Sequence, residues 1–192
     1  MAHALTNTVT NNTIEYNTGD GIHADLTGWG GAVEATGNGI LLNGDDGIYL
    51  YASTMGSRIG GTDAGDANAI GDNAGDGVHI SACQHVTVTG NLIGFEGTTG
   101  VFDYGNDGHG IHIDGGSINN LIGGSSAGEG NHIGFNAGNG ILITGGSTAN
   151  NRVIEDVHNQ LGDIGIQRGS LMRSTLALQT VQLPTQAARL AW

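Results

Sequence analysis

Residues 104 to 114 read YGNDGHGIHID and set Tyr104, Asp107, His109, His112 and Asp114 within eleven positions. Imidazoles and carboxylates held together exchange protons near neutral pH. The same two donor types also hold divalent metals. His79, in GVHIS, stands in a similar phrase earlier in the chain. Whether these groups meet depends on the elements that carry them.

Those elements repeat. NTIEYNTGDGIH from Asn12, NGILLNGDDGIY from Asn38, NAIGDNAGDGVH from Asn68 and NHIGFNAGNGIL from Asn131 align without gaps. Their consensus is N-x-I-x-x-N-x-G-x-G-[IV]-x, with Asp45 replacing the first glycine in the second copy. A further copy begins at Asn106 after the insertion FEGTTGVFDYG, and a degraded one begins at Asn159. The second asparagines fall at 17, 43, 73, 106, 136 and 159. Between copies, SRIGG at 57, NLIG at 91, NLIGG at 120 and NRVIE at 151 echo one another. Each period therefore holds two or three short strands of alternating apolar and polar residues, with glycines at corners where positive φ is expected. Such a period, without any helical pattern, predicts an all-β parallel solenoid of about five to six rungs stacked about 4.8 Å apart. The repeated asparagines would stack as a hydrogen-bonded ladder.

Composition agrees. Glycine supplies 37 of 192 residues and proline one, with no three-residue period, which excludes collagen. Net charge is −13, and the only cations are Arg58, Arg152, Arg168, Arg173 and Arg189. A surface this acidic repels nucleic acid and anionic membranes, and no apolar stretch is long enough for membrane insertion. A single cysteine, Cys83, excludes an internal disulfide framework. It lies between apolar strands without a cationic neighbour and reads as a buried, inert thiol.

Strand parity then places the side chains. In GIHID, Ile111 and Ile113 point inward, so His112 and Asp114 point out. The other rungs put His23, Tyr49, His79, His112, Leu142 and Gln167 in one outward column, and Asp25, Tyr51, Ser81, Asp114 and Thr144 in the next. Asp20, Asp46, Asp76, His109 and Asn139 occupy the preceding turn, with Asp163 the candidate in the degraded copy. Two adjacent rungs then bring together Asp76, His79, His109, His112 and Asp114, at about 4.8 Å along a column and about 6.8 Å within a strand face. That spacing suits acid/base chemistry or a bound metal. It equally suits a solvated sheet face, with His109 as one more polar turn residue. A second candidate is the loop Gly60 to Gly77, where Asp63, Asp66, Asp72 and Asp76 are hard oxygen ligands of the kind calcium takes. A solvated acidic loop has the same composition.

At the N-x-I-x-x-N…G-I-x-[IL] phrase, residues 5 to about 168 resemble the parallel β-helix repeats of the carbohydrate-binding and sugar-hydrolase (CASH) type, within the pectate-lyase-like superfamily. The resemblance implies a single-stranded right-handed parallel β-helix. It also implies a secreted or cell-surface protein acting on polysaccharide or oligosaccharide, with lyases, epimerases, hydrolases and non-enzymatic surface proteins all in the group. YGNDGH resembles the active-site phrase of alginate C5-epimerases, which would give Tyr104 and His109 the proton exchange and Asp107 an assisting role. GDD at 44–46 and GHG at 108–110 look like polygalacturonase motifs, though they are two coils apart and the matching Arg-x-Lys is missing. Pectate lyases pair a calcium-binding aspartate cluster with a basic residue, which is hard to place in a chain without lysine.

The expected organisation is a repeat region over 1–168 and a segment over 169–192. That segment lacks acids and reads as a cap over the raw strand edges, an oligomer or end-to-end contact, or a non-native tail. Because the chain opens directly on repeat, it reads as a fragment or processed form. The expected function is a carbohydrate-directed extracellular module. Tyr49, Tyr51 and His23 would contact sugar, and His79, His109, His112, Asp114, Tyr104 and Asp107 are candidate catalytic residues. A divalent cation, Ca²⁺ or a His/Asp-bound metal, is the expected cofactor. The alternative is a non-catalytic structural or filament-forming solenoid.

Overall fold

The computed structural model describes residues 5–28, 31–95, 103–154, 157–158 and 164–166. The tail at 169–192, Asn159, Asp163 and Gln167 lie outside the described residues.

Each repeat makes three strands, one per side of a triangular coil. The first coil holds β1 (Thr6–Thr10), β2 (Thr13–Glu15) and β3 (Ile22–Asp25), and the second β4 (Ala32–Thr36), β5 (Gly39–Leu41) and β6 (Ile48–Tyr51). The third holds β7 (Arg58–Gly60), β8 (Ala69–Gly71) and β9 (Val78–Ser81), and the fourth β10 (Thr87–Thr89), β11 (Leu92–Ile93) and β12 (Ile111–Asp114). The fifth holds β13 (Leu121–Gly123), β14 (His132–Ile133) and β15 (Ile141–Ile143), and the sixth β16 (Arg152–Ile154), β17 (Val157–His158) and β18 (Ile164–Ile166). Equivalent strands pair in parallel into three six-stranded sheets: A (β1-β4-β7-β10-β13-β16), B (β2-β5-β8-β11-β14-β17) and C (β3-β6-β9-β12-β15-β18). The architecture is the all-β right-handed parallel β-helix anticipated.

The core is a stack of β-branched side chains. Ile40, Ile70, Ile93 and Ile133 line sheet B; Ile48, Val78, Ile111 and Ile141 line sheet C; Ile59, Val88 and Ile122 line sheet A. All are at most 1% exposed. Each such side chain stabilises by about 1.5–3 kcal/mol relative to leaving it in water.

Two asparagine ladders run through the corners beside sheet B. Asn12, Asn38, Asn68, Asn91 and Asn131 form one; each of the first four donates its backbone N–H and its Nδ2 to the next Oδ1, at 2.9–3.2 Å. Asn17, Asn43, Asn73, Asn106 and Asn136 form the other in the same way. The amides thus supply the hydrogen bonds that the bending backbone cannot make to itself.

Three sequence expectations are revised. NLIG at 91 is not an echo of SRIGG: Leu92 and Ile93 pair with Ala69 and Ile70 in sheet B, and Thr87–Thr89 is the sheet A strand of that coil. Asn91 therefore completes the first ladder, where no repeat copy had been found. In the sixth coil, Ile164 and Ile166 register with Ile141 and Ile143, which sets Gly165 against Leu142. The register that put Gln167 in this column would have set Arg168 against Ile143, in a column of core positions.

The third revision concerns glycine. Gly21, Gly47, Gly77 and Gly110, which precede sheet C, do not have positive φ. A Cβ at each would stand 2.5–2.7 Å from the Cγ2 of the next coil's sheet B isoleucine. Close packing excludes a side chain there. Positive φ is found, as expected, at other glycines, among them Gly37, Gly60 and Gly90, but among the described residues it is shared by ten non-glycine residues, including Tyr16, Leu42, Asp72 and Phe135 at φ 52–60°.

Candidate functional site

Sheet C and the turn before it build the site. Register pairs His23 with Tyr49, Tyr49 with His79, and His79 with His112. Parallel stacking turns that column into a row of rings. Centroids are 5.0 Å apart for His23 and Tyr49, 4.9 Å for Tyr49 and His79, and 4.6 Å for His79 and His112, whose planes lie within 11°. Tyr51 stacks beside Tyr49 at 6.3 Å, and His109 meets His112 edge-on at 5.4 Å. Leu142, 8% exposed, ends the row with an apolar side chain.

The turn residues form a second ladder. Asp20 Oδ1 accepts the Asp46 backbone N–H at 2.9 Å, Asp46 Oδ1 accepts that of Asp76 at 2.6 Å, and Asp76 Oδ1 accepts that of His109 at 2.6 Å. His109 Nδ1 accepts the Asn139 N–H at 2.8 Å. One oxygen of each aspartate thus holds the scaffold, and the other turns to an imidazole. Asp20 Oδ2 meets His23 Nδ1 at 2.6 Å, Asp46 Oδ2 meets His79 Nδ1 at 3.0 Å, and Asp76 Oδ2 meets His112 Nδ1 at 2.9 Å. Asp114, from the end of β12, approaches His79 Nε2 at 3.3 Å and lies 4.0 Å from His112 Nε2.

Charge follows from these partners. Burial pushes the His79 imidazole down, but Asp46 and Asp114 outweigh it and hold His79 above the ordinary histidine value. Acceptors on both nitrogens are satisfied only by the doubly protonated ring. Burial pushes the Asp76 carboxyl up, yet hydrogen bonds from His112 and the His109 backbone hold it below its ordinary value. Burial lowers His109, whose Nδ1 must stay unprotonated to accept from Asn139. Burial also raises the Cys83 thiol, consistent with an inert side chain.

Two groups of three residues have ligand atoms mutually within 4.8 Å: Asp76, His79 and His112, and the carboxylates Asp20, Asp45 and Asp46. Asp20 and Asp46 were expected only as turn residues, and Asp45 and Asp46 only as part of the GDD phrase; none was assigned as a ligand. Asp46 is the aspartate that pairs with His79, one rung away. The signal for Asp45 was its replacement of the consensus glycine in NGDDG.

Other candidates disperse. Asp66 is bound to Arg58 at 3.0 Å, Asp63 shares its turn, Asp72 stands at the corner after β8, and Asp76 belongs to the histidine row. Among the described residues, the groups of converging ligands do not include Asp63, Asp66 or Asp72. Tyr104 exchanges backbone hydrogen bonds with Asp72 and Gly94, and Asp107 is exposed with its N–H on Asn73 O. His109 is engaged with Asp76, Asn139 and His112, so these interactions do not join Tyr104, Asp107 and His109. Asp46 and His109 are two coils apart in the turn ladder, so the GDD and GHG phrases do not meet.

A family model described as "Right handed beta helix region" matches residues 4–127, about two thirds of the chain. The chain belongs to the right-handed β-helix family. Neither a curated protein nor a solved structure matches it. As a right-handed β-helix protein it has the build of a carbohydrate-active or structural module.

Proposed function

We propose that this β-helix is a carbohydrate-directed, extracellular module of the CASH type, and that the outer face of sheet C binds glycan. The observation that carries this reading is the continuous row His23, Tyr49, His79 and His112, flanked on one side by Asp46 and Asp76 and on the other by Tyr51 and Asp114. Aromatic faces pack against the C–H faces of sugar rings, while carboxylates and imidazoles hydrogen-bond hydroxyls. A neutral or weakly charged glycan suits the site better than a polyuronate. Arg58 is already bound by Glu34 at 2.6 Å and Asp66 at 3.0 Å, and Arg152 stands on sheet A.

In the catalytic form of this reading, hydrolysis of a neutral glycan has His79 donate its proton to the glycosidic oxygen while Asp114 takes a proton from the attacking water; elimination belongs to a uronate substrate, whose carboxyl group acidifies the ring proton that is removed. His79 suits that role because its two carboxylate partners keep it protonated nearer neutral pH. The rival reading is a structural solenoid in which the same row only covers a sheet.

Titration calorimetry against neutral and uronate-containing polysaccharides tests the proposal. Tyr49→Ala and His112→Ala are each expected to weaken binding roughly 3- to 10-fold, the equivalent of about 1 kcal/mol per ring, with the circular dichroism spectrum unchanged. Absence of binding to every glycan, or binding indifferent to both substitutions, would favour the structural solenoid.

A further inference from the structure

We propose that Asp76, His79 and His112 form a binding site for a first-row transition dication, with zinc the best suited, on the outer face of sheet C. One ligand atom from each lies within 4.8 Å of the other two. Tetrahedral zinc bonded to nitrogen and oxygen at about 2.0–2.1 Å needs ligand atoms roughly 3.4 Å apart. The remaining contraction is within reach of imidazole rotation. His79 and His112 lie 11° from parallel, so their in-plane lone pairs run side by side. Binding tilts both rings toward a common point, while Asp76 stays fixed because its Oδ1 holds the His109 backbone N–H at 2.6 Å.

The donor set selects the metal. Two imidazole nitrogens with one carboxylate suit zinc, cobalt or nickel, whereas calcium takes oxygen ligands. The dication replaces the proton that bridges His112 Nδ1 and Asp76 Oδ2 at 2.9 Å. It also displaces one His79 proton and the carboxylate on that nitrogen, so whichever of Asp46 and Asp114 holds the other His79 nitrogen serves as the outer partner. A tetrahedral ion with three protein ligands keeps one position for water or substrate. The carboxylates Asp20, Asp45 and Asp46 concentrate cations beside the site. The inference shares side chains with the glycan reading but does not depend on it, because metal binding is measured with no sugar present.

The test is calorimetric titration of the full chain with Zn²⁺ and with Ca²⁺, together with the visible absorption of the Co²⁺-loaded protein. One Zn²⁺ per chain is expected, with the intense visible bands of tetrahedral cobalt and much weaker Ca²⁺ binding. His112→Ala and Asp76→Asn should each weaken Zn²⁺ by at least about 10-fold, the loss caused even by removing an outer partner. Asp76→Asn keeps an acceptor for the His109 N–H, and Asn139 occupies the equivalent slot two coils on, so it reports on the ligand if His112→Ala fails to fold. His85→Ala, outside the row, should bind as the parent does. No stoichiometric Zn²⁺ binding, binding unaffected by Asp76→Asn, or Ca²⁺ bound as tightly as Zn²⁺ would each overturn the proposal.

Discussion

His79 and His109 stand one coil apart and have opposite electrostatics. His79 sits between Asp46 and Asp114 and is held above 6.5, so folding favours its charged form. Its contribution to stability is complete below the unfolded value and is lost as pH rises through the folded one. Asp46→Asn should lower the His79 pKa, as followed by its ring protons in an NMR titration. An unchanged midpoint would mean that Asp46 does not set the charge. Burial holds His109 below its ordinary value, and its Nδ1 must stay unprotonated to accept the Asn139 N–H. Folding opposes its protonation, so its contribution is present above the unfolded value and is lost as pH falls toward the folded one. His109→Asn supplies an acceptor that does not titrate. Urea unfolding should therefore show a smaller loss of stability across about pH 6.5 to 5 in this variant than in the parent. An equal loss would place the acid sensitivity elsewhere.

The ladders dominate at the level of the element. Asn73 is 1% exposed, accepts from the Asn43 backbone at 3.1 Å and side chain at 2.9 Å, and donates to Asn106 and Ile40. Asn73→Ala leaves the buried Asn43 N–H without its acceptor, and a buried orphan costs about 1–3 kcal/mol before the other lost bonds are counted. A total of roughly 2–4 kcal/mol is expected in urea unfolding. Asn17→Ala, at the exposed end of the same ladder, should cost less than about 1 kcal/mol. Equal effects would mean that burial does not govern the ladder's strength. The elements also show where the repeat was legible. Where the consensus was intact, the asparagine period gave the correct rung partners, because parallel in-register pairing converts a sequence period into adjacency. It misled at coil four, where an insertion separates β11 from Asn106 and leaves Asn91 looking like the start of another strand.

As a whole, the molecule is a stack of coils with a surplus of thirteen negative charges. Rungs about 4.8 Å apart bring like positions over like, so Asp20, Asp46 and Asp76 form a single acidic column. Asp45 adds to it: burial and the neighbouring Asp46 and Asp20 carboxylates raise its pKa. Such self-repulsion is screened by ions. The melting temperature should therefore rise when sodium chloride increases from about 0.01 M to about 0.15 M. A flat or falling response would show that attractive pairs such as His79 with Asp46 and His112 with Asp76 offset the repulsion.

The sequence by itself determined that the chain coils, that about five to six coils stack, and which sheet C side chains face outward where the repeat is intact. Apolar residues at every second strand position must be buried, and a regular period leaves one way to stack them. It also determined that His79 and His112 are neighbours, since both occupy the same slot of adjacent repeats. Only the tertiary structure decided that Asp46, rather than Asp76, pairs with His79, and that each turn aspartate divides its oxygens between a backbone N–H and an imidazole. The period specifies which rung follows which. The side-chain torsions that send a carboxylate up or down the stack are decided by competing hydrogen bonds, and these exist only once the coils are in contact.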